Sequence, residues 1–392
     1  MLLFAWSRIK PSGDRIMWLV IIVLMVLGLL SVYSSTSALA YKRHGGSPEL
    51  FLFNQMIFLG AGFLLMLLVH SIHYKYFIKF SKPLLYLSYI LLFLTMFFGS
   101  NTNEAQRWLR IPIIGIKFQP SDFAKVALVL FLARELAFRQ DDIKDFKKGF
   151  LPIIIHVGLT CLLIAPSNLS TSLVILSTSM VIMFIGRVSV KHIFYVGGPI
   201  FAVIALLVLL LINTPDKHLS GLGRVKTWKH RIENFSNGSD NRDVTFQNDH
   251  AKMAIATGGL IGKGPGGSIE RNSLPHAYSD FIYAIFAEEY GLFGALFLMS
   301  LYLLFMYRAF RILLKSPKAF GALLAIGLSF AFIMQALIHM AISVNIVPNT
   351  GLTLPFISMG GTSILMTSIA FGLIMSVSRY VETEDSNDLK PA

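Results

Sequence analysis

The chain has 392 residues, 55% of them hydrophobic and 14% charged, with a mean hydropathy of +0.66. These values exclude an ordinary soluble domain, and apolar runs of about 20 residues favour an all-α polytopic membrane bundle over a barrel. The net charge of +13 does not call for nucleic acid, because basic residues of a membrane protein gather on cytoplasmic loops and beside anionic headgroups.

Apolar stretches near 17–40, 51–70, 83–99, 123–138, 150–165, 171–186, 193–213, 281–307, 318–343 and 356–378 predict ten transmembrane helices. The first follows Arg8, Lys10 and Arg15 and precedes Ser37-Ala-Leu-Ala40, as a cleaved signal would. It is longer than a signal core and many spans follow it, so an uncleaved helix is expected. Alternate connections hold the basic residues: Lys75, Lys79 and Lys82; Arg139, Lys144, Lys147 and Lys148; Arg187 and Lys191; Arg308, Arg311, Lys315 and Lys318. Segments 166–170 and 344–355 hold no Lys or Arg, which orients the chain with both termini cytoplasmic. Residues 1–392 read as one membrane domain with a large extracytoplasmic loop at 214–280. The polar tail at 380–392 is expected to be cytoplasmic and disordered. Cys161 stands alone, so no intrachain disulfide forms.

Two outer segments carry more than a connection needs. Residues 100–122 contain Arg107, Trp108, Arg110 and Lys117, and residues 214–280 mix basic, glycine-rich and apolar stretches such as 253–261, a composition suited to docking on the membrane face. In Gln119-Pro-Ser-Asp-Phe-Ala-Lys125, Pro120 and Ser121 start a helix and Asp122 complements its positive end. Lys125 opposes that dipole at the membrane boundary and calls for an anion, either Asp122 three residues before it or a phosphate of a lipid substrate.

Asp280 begins the eighth span, where it can cap the helix or act as a base at an apolar boundary. Glu288 and Glu289 follow inside the apolar stretch, as functional carboxylates or as partners of Arg or Lys from another helix. The run from Gly258 to Gly267 lacks the first glycine and the Ser or Thr of a phosphate loop and reads as a membrane-docked turn, with Lys263 near a headgroup or diphosphate. Gln335 and His339 share one face of the ninth span. Pro348-Asn-Thr-Gly-Leu-Thr-Leu-Pro355 then breaks the helix before Ser358-Met-Gly-Gly-Thr-Ser363, which marks a cavity wall. His156 reads as a packed or hydrogen-bonded residue, and the His and Cys residues lack zinc spacing.

Four segments in series, QRWL with FQPSDFAK (106–109, 118–125), FQ with AIATGGLIGKGPGGS (246–247, 254–268), LPHAYSDFIYAIFAEEYGLFG (274–294) and PNTGLTLPFISMGGTS (348–363), resemble the signature segments of the SEDS family of peptidoglycan glycosyltransferases, the FtsW and RodA group. The resemblance implies an inverting glycosyltransferase that polymerises lipid II outside the cytoplasmic membrane, the 4-hydroxyl of one sugar attacking the anomeric carbon of a chain held on undecaprenyl diphosphate. It implies Asp280 as general base, with positive charge for the leaving diphosphate from Lys125, Arg107, Lys263 or a divalent cation, Mg or Mn. Asp122, Glu288, Glu289, His339 and Ser358 complete the expected substrate-binding set.

The chain departs from the family pattern at Asp122, where Glu is usual, and at His276 and Tyr278, where Glu and His are usual. Asn168 replaces Asp, and Met359 replaces Tyr. Ala277 and the segment GLTLPFIS lean towards the division branch, FtsW, over the elongation branch, RodA. Either branch implies the nascent glycan strand, a class B penicillin-binding transpeptidase and other division or elongation membrane proteins as partners, and an inner-membrane location. A lipid II flippase using Glu288, Glu289 and His339 as a path, and a non-catalytic scaffold, are the competing functions.

Overall fold

The computed structural model describes residues 12–37, 49–102, 105–110, 117–214, 229, 242–274, 277–348 and 350–388. Arg8, Lys10, Ala38 to Ala40, Pro275, His276 and much of 214–241 lie outside the described residues. Helices cover all ten apolar stretches: α1 (Arg15–Ser35), α2 (Glu49–Ser71), α3 (Phe77–Phe98), α4 (Pro120–Phe138), α5 (Leu151–Ile164), α6 (Leu169–Ile185), α7 (Val190–Asn213), α9 (Ile282–Lys315), α10 (Ala319–Ser343) and α11 (Thr362–Asp388). An eleventh helix, α8 (Arg242–Gly258), lies in the segment expected as the large loop.

Seven helices are long and apolar enough to cross a membrane: α1, α2, α3 with its leading 3-10 turn, α5 with its leading π turn, α9, α10 and α11. Helix α6 is apolar but short. Helix α4 carries Asp122, Lys125, Arg134 and Glu135 and is nonetheless buried along most of its length, so its charges are solvated by protein. It packs between α3 and α10, while α10 also meets α9, α6 and α11 and forms the axis of the bundle. His156 fulfils its packed reading: Nδ1 lies 3.1 Å from the Tyr89 hydroxyl, and the ring meets Phe131 edge-on.

Two regions differ from the sequence expectation. Within 100–122 the chain forms a small antiparallel sheet in the order β1 (Ser100–Thr102), β2 (Ala105–Arg110), β3 (Lys117–Phe118). Leu109 pairs with Phe118, and Arg110 with Lys117. The Thr362 hydroxyl donates to the Lys117 carbonyl at 2.8 Å and fastens this sheet to the start of α11. At the other end α11 continues to Asp388 through residues expected to be disordered, since extending a formed helix costs far less than nucleating one.

Helix α9 is interrupted at Gly291, whose φ of 67° and ψ of −169° are non-helical. The loop after α8 enters this break. Leu292 N–H donates to the Gly259 carbonyl (2.9 Å), Lys263 N–H to that of Glu288 (3.0 Å) and Gly264 N–H to that of Glu289 (2.9 Å). Backbone groups freed by the break thus find partners inside the protein, as a low-dielectric setting demands. A Cβ at Gly291 would lie 2.5 Å from both Gly262 N and Leu260 O, in a φ range hostile to L side chains. Gly291→Ala should therefore lower the melting temperature in detergent by an amount equivalent to about 1–3 kcal/mol. Gly60→Ala, on a helix with open space around it, should leave it unchanged; equal behaviour of the two variants would contradict the packing described.

Candidate active site

The site is assembled on a stretch of non-helical chain between α10 and α11. Pro348 and Pro355 bracket residues that cannot continue a helix, so their carbonyls need donors from elsewhere. Helix α10 supplies two, one turn apart on one face. Gln335 Nε2 donates to the Thr353 carbonyl at 2.7 Å, and His339 Nδ1 donates to the Leu352 carbonyl, also at 2.7 Å. Ser358 joins the far end of the stretch to the Asp280 segment, accepting from Leu354 N–H and donating to the Ser279 carbonyl, each at 2.8 Å. Met359 N–H adds a bond to the Tyr278 carbonyl at 3.0 Å.

Behind this wall lies Lys125, 3% exposed. Its Nζ donates to Gln335 Oε1 at 2.6 Å, stands 3.9 Å from Asp122 Oδ1 and lies 4.0 Å from the centroid of the Phe332 ring. Asp122 is thus the anion that the sequence required. The polar chain Asp122, Lys125, Gln335, Thr353 braces the wall from α4 and holds Lys125 in the bundle interior.

Asp280 does not cap α9. Phe281 occupies the cap position with no side-chain cap hydrogen bond. The Asp280 carboxylate accepts the Ser279 hydroxyl at 2.9 Å and faces Gly351, whose φ of 67° turns the chain there. A Cβ on Gly351 would stand 3.8 Å from Asp280 Oδ2 and 3.5 Å from an Arg107 guanidinium nitrogen. The carboxylate and the guanidinium therefore both lie within contact range of the space that a side chain at residue 351 would fill. Arg107 reaches it from β2, with Nε donating to the Ser167 carbonyl at 2.9 Å.

Glu288, Glu289 and Lys263 belong to a different constellation. The Glu288 carboxylate accepts from Lys263 Nζ at 2.6 Å, Ile269 N–H at 3.1 Å, Glu270 N–H at 3.3 Å and the Ser268 hydroxyl. Glu289 accepts the Ser34 hydroxyl of α1, and Arg271 donates to the same serine. Both carboxylates are spent on fastening the loop after α8 to the break in α9. Lys263 is the partner of a buried carboxylate, and a quarter of its own side chain stays exposed. His250 closes the same loop from α8 by bonding Glu270. Among the described residues no three His, Cys, Asp or Glu side chains converge, so they do not fit a protein cage for a divalent ion.

Sequence reasoning overlooked Thr350, whose hydroxyl oxygen is buried beside Gly351. Its place inside the proline-bracketed stretch, at membrane depth, was the available signal.

A carboxylate and a guanidinium brought to one glycine of a proline-broken chain, in a bundle with seven helices long and apolar enough to cross a membrane, define a multi-pass membrane protein with polar groups gathered at the break. The FtsW, RodA and SpoVE cell cycle protein family model matches residues 14–383, and the chain belongs to that family. It is 32% identical to the probable peptidoglycan glycosyltransferase FtsW of Thiomicrospira cyclica, over 98% of this chain and 97% of that protein. It is 30% identical to stage V sporulation protein E of Bacillus subtilis, over 95% and 98%. A solved chain from a peptidoglycan synthase complex coordinating polymerization and crosslinking shares the fold, with a TM-score of 0.75 and 24% identity over 94% of this chain and 98% of that one.

Two predictions separate scaffold from substrate contact. Lys125→Met strands Asp122 and the Gln335 carbonyl oxygen, and removing one partner of a buried pair typically costs about 3–5 kcal/mol. Asp122→Asn combined with Lys125→Met should recover much of the lost melting temperature; a double variant no more stable than the single one counts against the brace. Lys263→Met should likewise lower the melting temperature and expose the 259–274 loop to protease, whereas a lysine serving only a lipid headgroup would leave both readouts unmoved.

Proposed function

We propose that this protein is a peptidoglycan glycosyltransferase that polymerises lipid II at the outer face of the cytoplasmic membrane, with Asp280 as its general base. The observation that carries the reading is that Asp280 and Arg107 both approach Gly351. The acceptor's 4-hydroxyl enters beside Asp280, its oxygen attacks the anomeric carbon of the donor and its proton passes to the carboxylate. The bond from that carbon to the phosphate oxygen breaks with inversion, and undecaprenyl diphosphate leaves. Arg107 stands where it can stabilise charge on the departing diphosphate, so the step needs no separate acid. His339 belongs to the substrate wall, while Asp122, Lys125 and Ser358 hold that wall in place.

The relatives' names support a septal role over an elongation role, and the synthase complex containing the structural neighbour supports a class B transpeptidase as partner. A flippase would need Glu288 and Glu289 to face a path through the bundle, and Glu288 is engaged by the loop and Glu289 by Ser34 of α1. The orientation follows the basic residues, with both termini inside and the loop after α7 outside. Asn272, exposed on that loop, tests it: Asn272→Cys in a Cys161→Ser background should label with an impermeant thiol reagent from outside, and labelling only after permeabilisation refutes the arrangement.

Asp280→Asn keeps the size and polarity of the side chain and removes the proton acceptor. It should reduce polymerisation by about 10²–10⁴-fold, the typical contribution of a general base, with melting temperature and transpeptidase binding preserved. Near wild-type polymer from this variant would assign the base elsewhere.

A further inference from the structure

Where α1 begins, α9 ends and α11 leaves its apolar span (Thr362–Val381), residues of all three helix ends line a cavity of about 60 Å³. Arg308, Arg311 and Lys315 reach it from α9, Asp14 from the cap of α1 and Ser378 from α11, and the buried Ile312 and Val381 supply its apolar lining. Asp14 is engaged on both oxygens. Oδ1 accepts Ile16 N–H at 2.9 Å and Met17 N–H at 3.2 Å, which caps α1, and Oδ2 accepts the mostly buried Arg308 guanidinium. Asp14 N–H donates to Ser378 Oγ at 2.9 Å, so the ion pair is fixed between α9 and α11.

The lining thus holds three cations against one carboxylate, and that carboxylate is matched by Arg308. Arg311 and Lys315, both exposed, make the lining net positive. The negative end of the α9 dipole and the positive end of the α1 dipole meet here and offset each other. Like charges four residues apart on one helix repel, which an anion between them relieves. A cavity of about 60 Å³ admits about four waters at roughly 10–15 Å³ each. That matches the oxygens of one phosphate group and is too small for a sugar ring or a nucleotide. Phe310 and Leu314, next in sequence to Arg311 and Lys315, are exposed, and on a helix that crosses a membrane such residues face acyl chains.

We propose that this cavity binds the phosphate of an anionic phospholipid, held by the Arg311 guanidinium and the Lys315 ammonium, with the acyl chains lying along Phe310 and Leu314. Basic pockets between membrane helices recognise anionic headgroups in this way, and a planar guanidinium suits phosphate oxygens. A zwitterionic lipid carries the same phosphate but brings a quaternary ammonium to a cation-rich rim, so the site selects a headgroup of net negative charge. The bound lipid joins α1, α9 and α11 through one ligand, and the site is independent of the chemistry at Asp280.

Native mass spectrometry of the purified full-length protein in detergent tests this, with phosphatidylglycerol, phosphatidylcholine and inorganic phosphate as probes. The wild type should take up a first phosphatidylglycerol about tenfold more tightly than phosphatidylcholine, and equimolar inorganic phosphate should not displace it. Arg311→Gln with Lys315→Gln should weaken phosphatidylglycerol about thirtyfold, and Arg311→Gln alone, the milder change should the pair fail to fold, about fivefold. Arg311→Lys with Lys315→Arg keeps both charges and should bind within about threefold of wild type. Lys144→Gln with Lys147→Gln removes the same charge at two exposed lysines that do not line the cavity and should leave binding within about twofold. Equal wild-type affinity for the two lipids, displacement by inorganic phosphate, or equal losses in the two glutamine pairs overturns the site.

Discussion

The hydrogen bonds from Gln335 and His339 to the carbonyls of Thr353 and Leu352 are what allow a non-helical stretch to exist inside this bundle. In a low-dielectric interior an unpaired carbonyl costs about as much as several good contacts contribute, so the stretch persists only where a neighbouring helix supplies donors at matching spacing. Once those bonds form, Gly351 is delivered between Asp280 and Arg107. Ser358 then ties the same stretch to the backbone at Ser279. The reach of Lys125 from α4 to Gln335 is the remote end of this arrangement. Through that bond a buried cation acts on the geometry of the wall.

The carboxylates of α9 and its approach divide by how completely the protein satisfies them. Glu288 collects an ammonium, a hydroxyl and two backbone N–H groups, which leaves it little capacity for a ligand and makes it a fastening. Asp280 accepts the Ser279 hydroxyl and approaches Gly351 together with a guanidinium. Similar intramembrane carboxylates therefore do different work, and the loop that enters the break at Gly291 accounts for the difference. By anchoring that loop, Glu288 and Glu289 also set the position from which the chain runs through residues 277–281, Asp280 among them.

Much of this was legible from the residues. The apolar runs mark the helices because spanning segments must be long and continuous, and Pro348 and Pro355 mark the break because proline cannot carry the helix on. The pairing of Gln335 with His339 on one face follows from four-residue spacing. The sheet at 100–118 was not legible, since strands of two to six residues show no periodicity. Nor were the roles of Glu288, Glu289 and Lys263, because their partners come from the preceding loop and from α1 through tertiary contacts that no local pattern encodes. Thr350 passed unnoticed because a threonine in a loop is ordinarily solvated, and only the packing of the wall shows its hydroxyl to be buried.

The central claim is that the chemistry takes place where Asp280 and Arg107 approach Gly351. The most direct measurement is the structure, by electron cryomicroscopy in lipid nanodiscs, of the Asp280→Asn protein with its transpeptidase and bound lipid II. The account places a saccharide hydroxyl within about 3 Å of the residue-280 side chain, a diphosphate against Arg107 and the lipid tail leaving between helices. A diphosphate bound instead at Lys263 or in the bundle interior beside Lys125, with no sugar at residue 280, would contradict it.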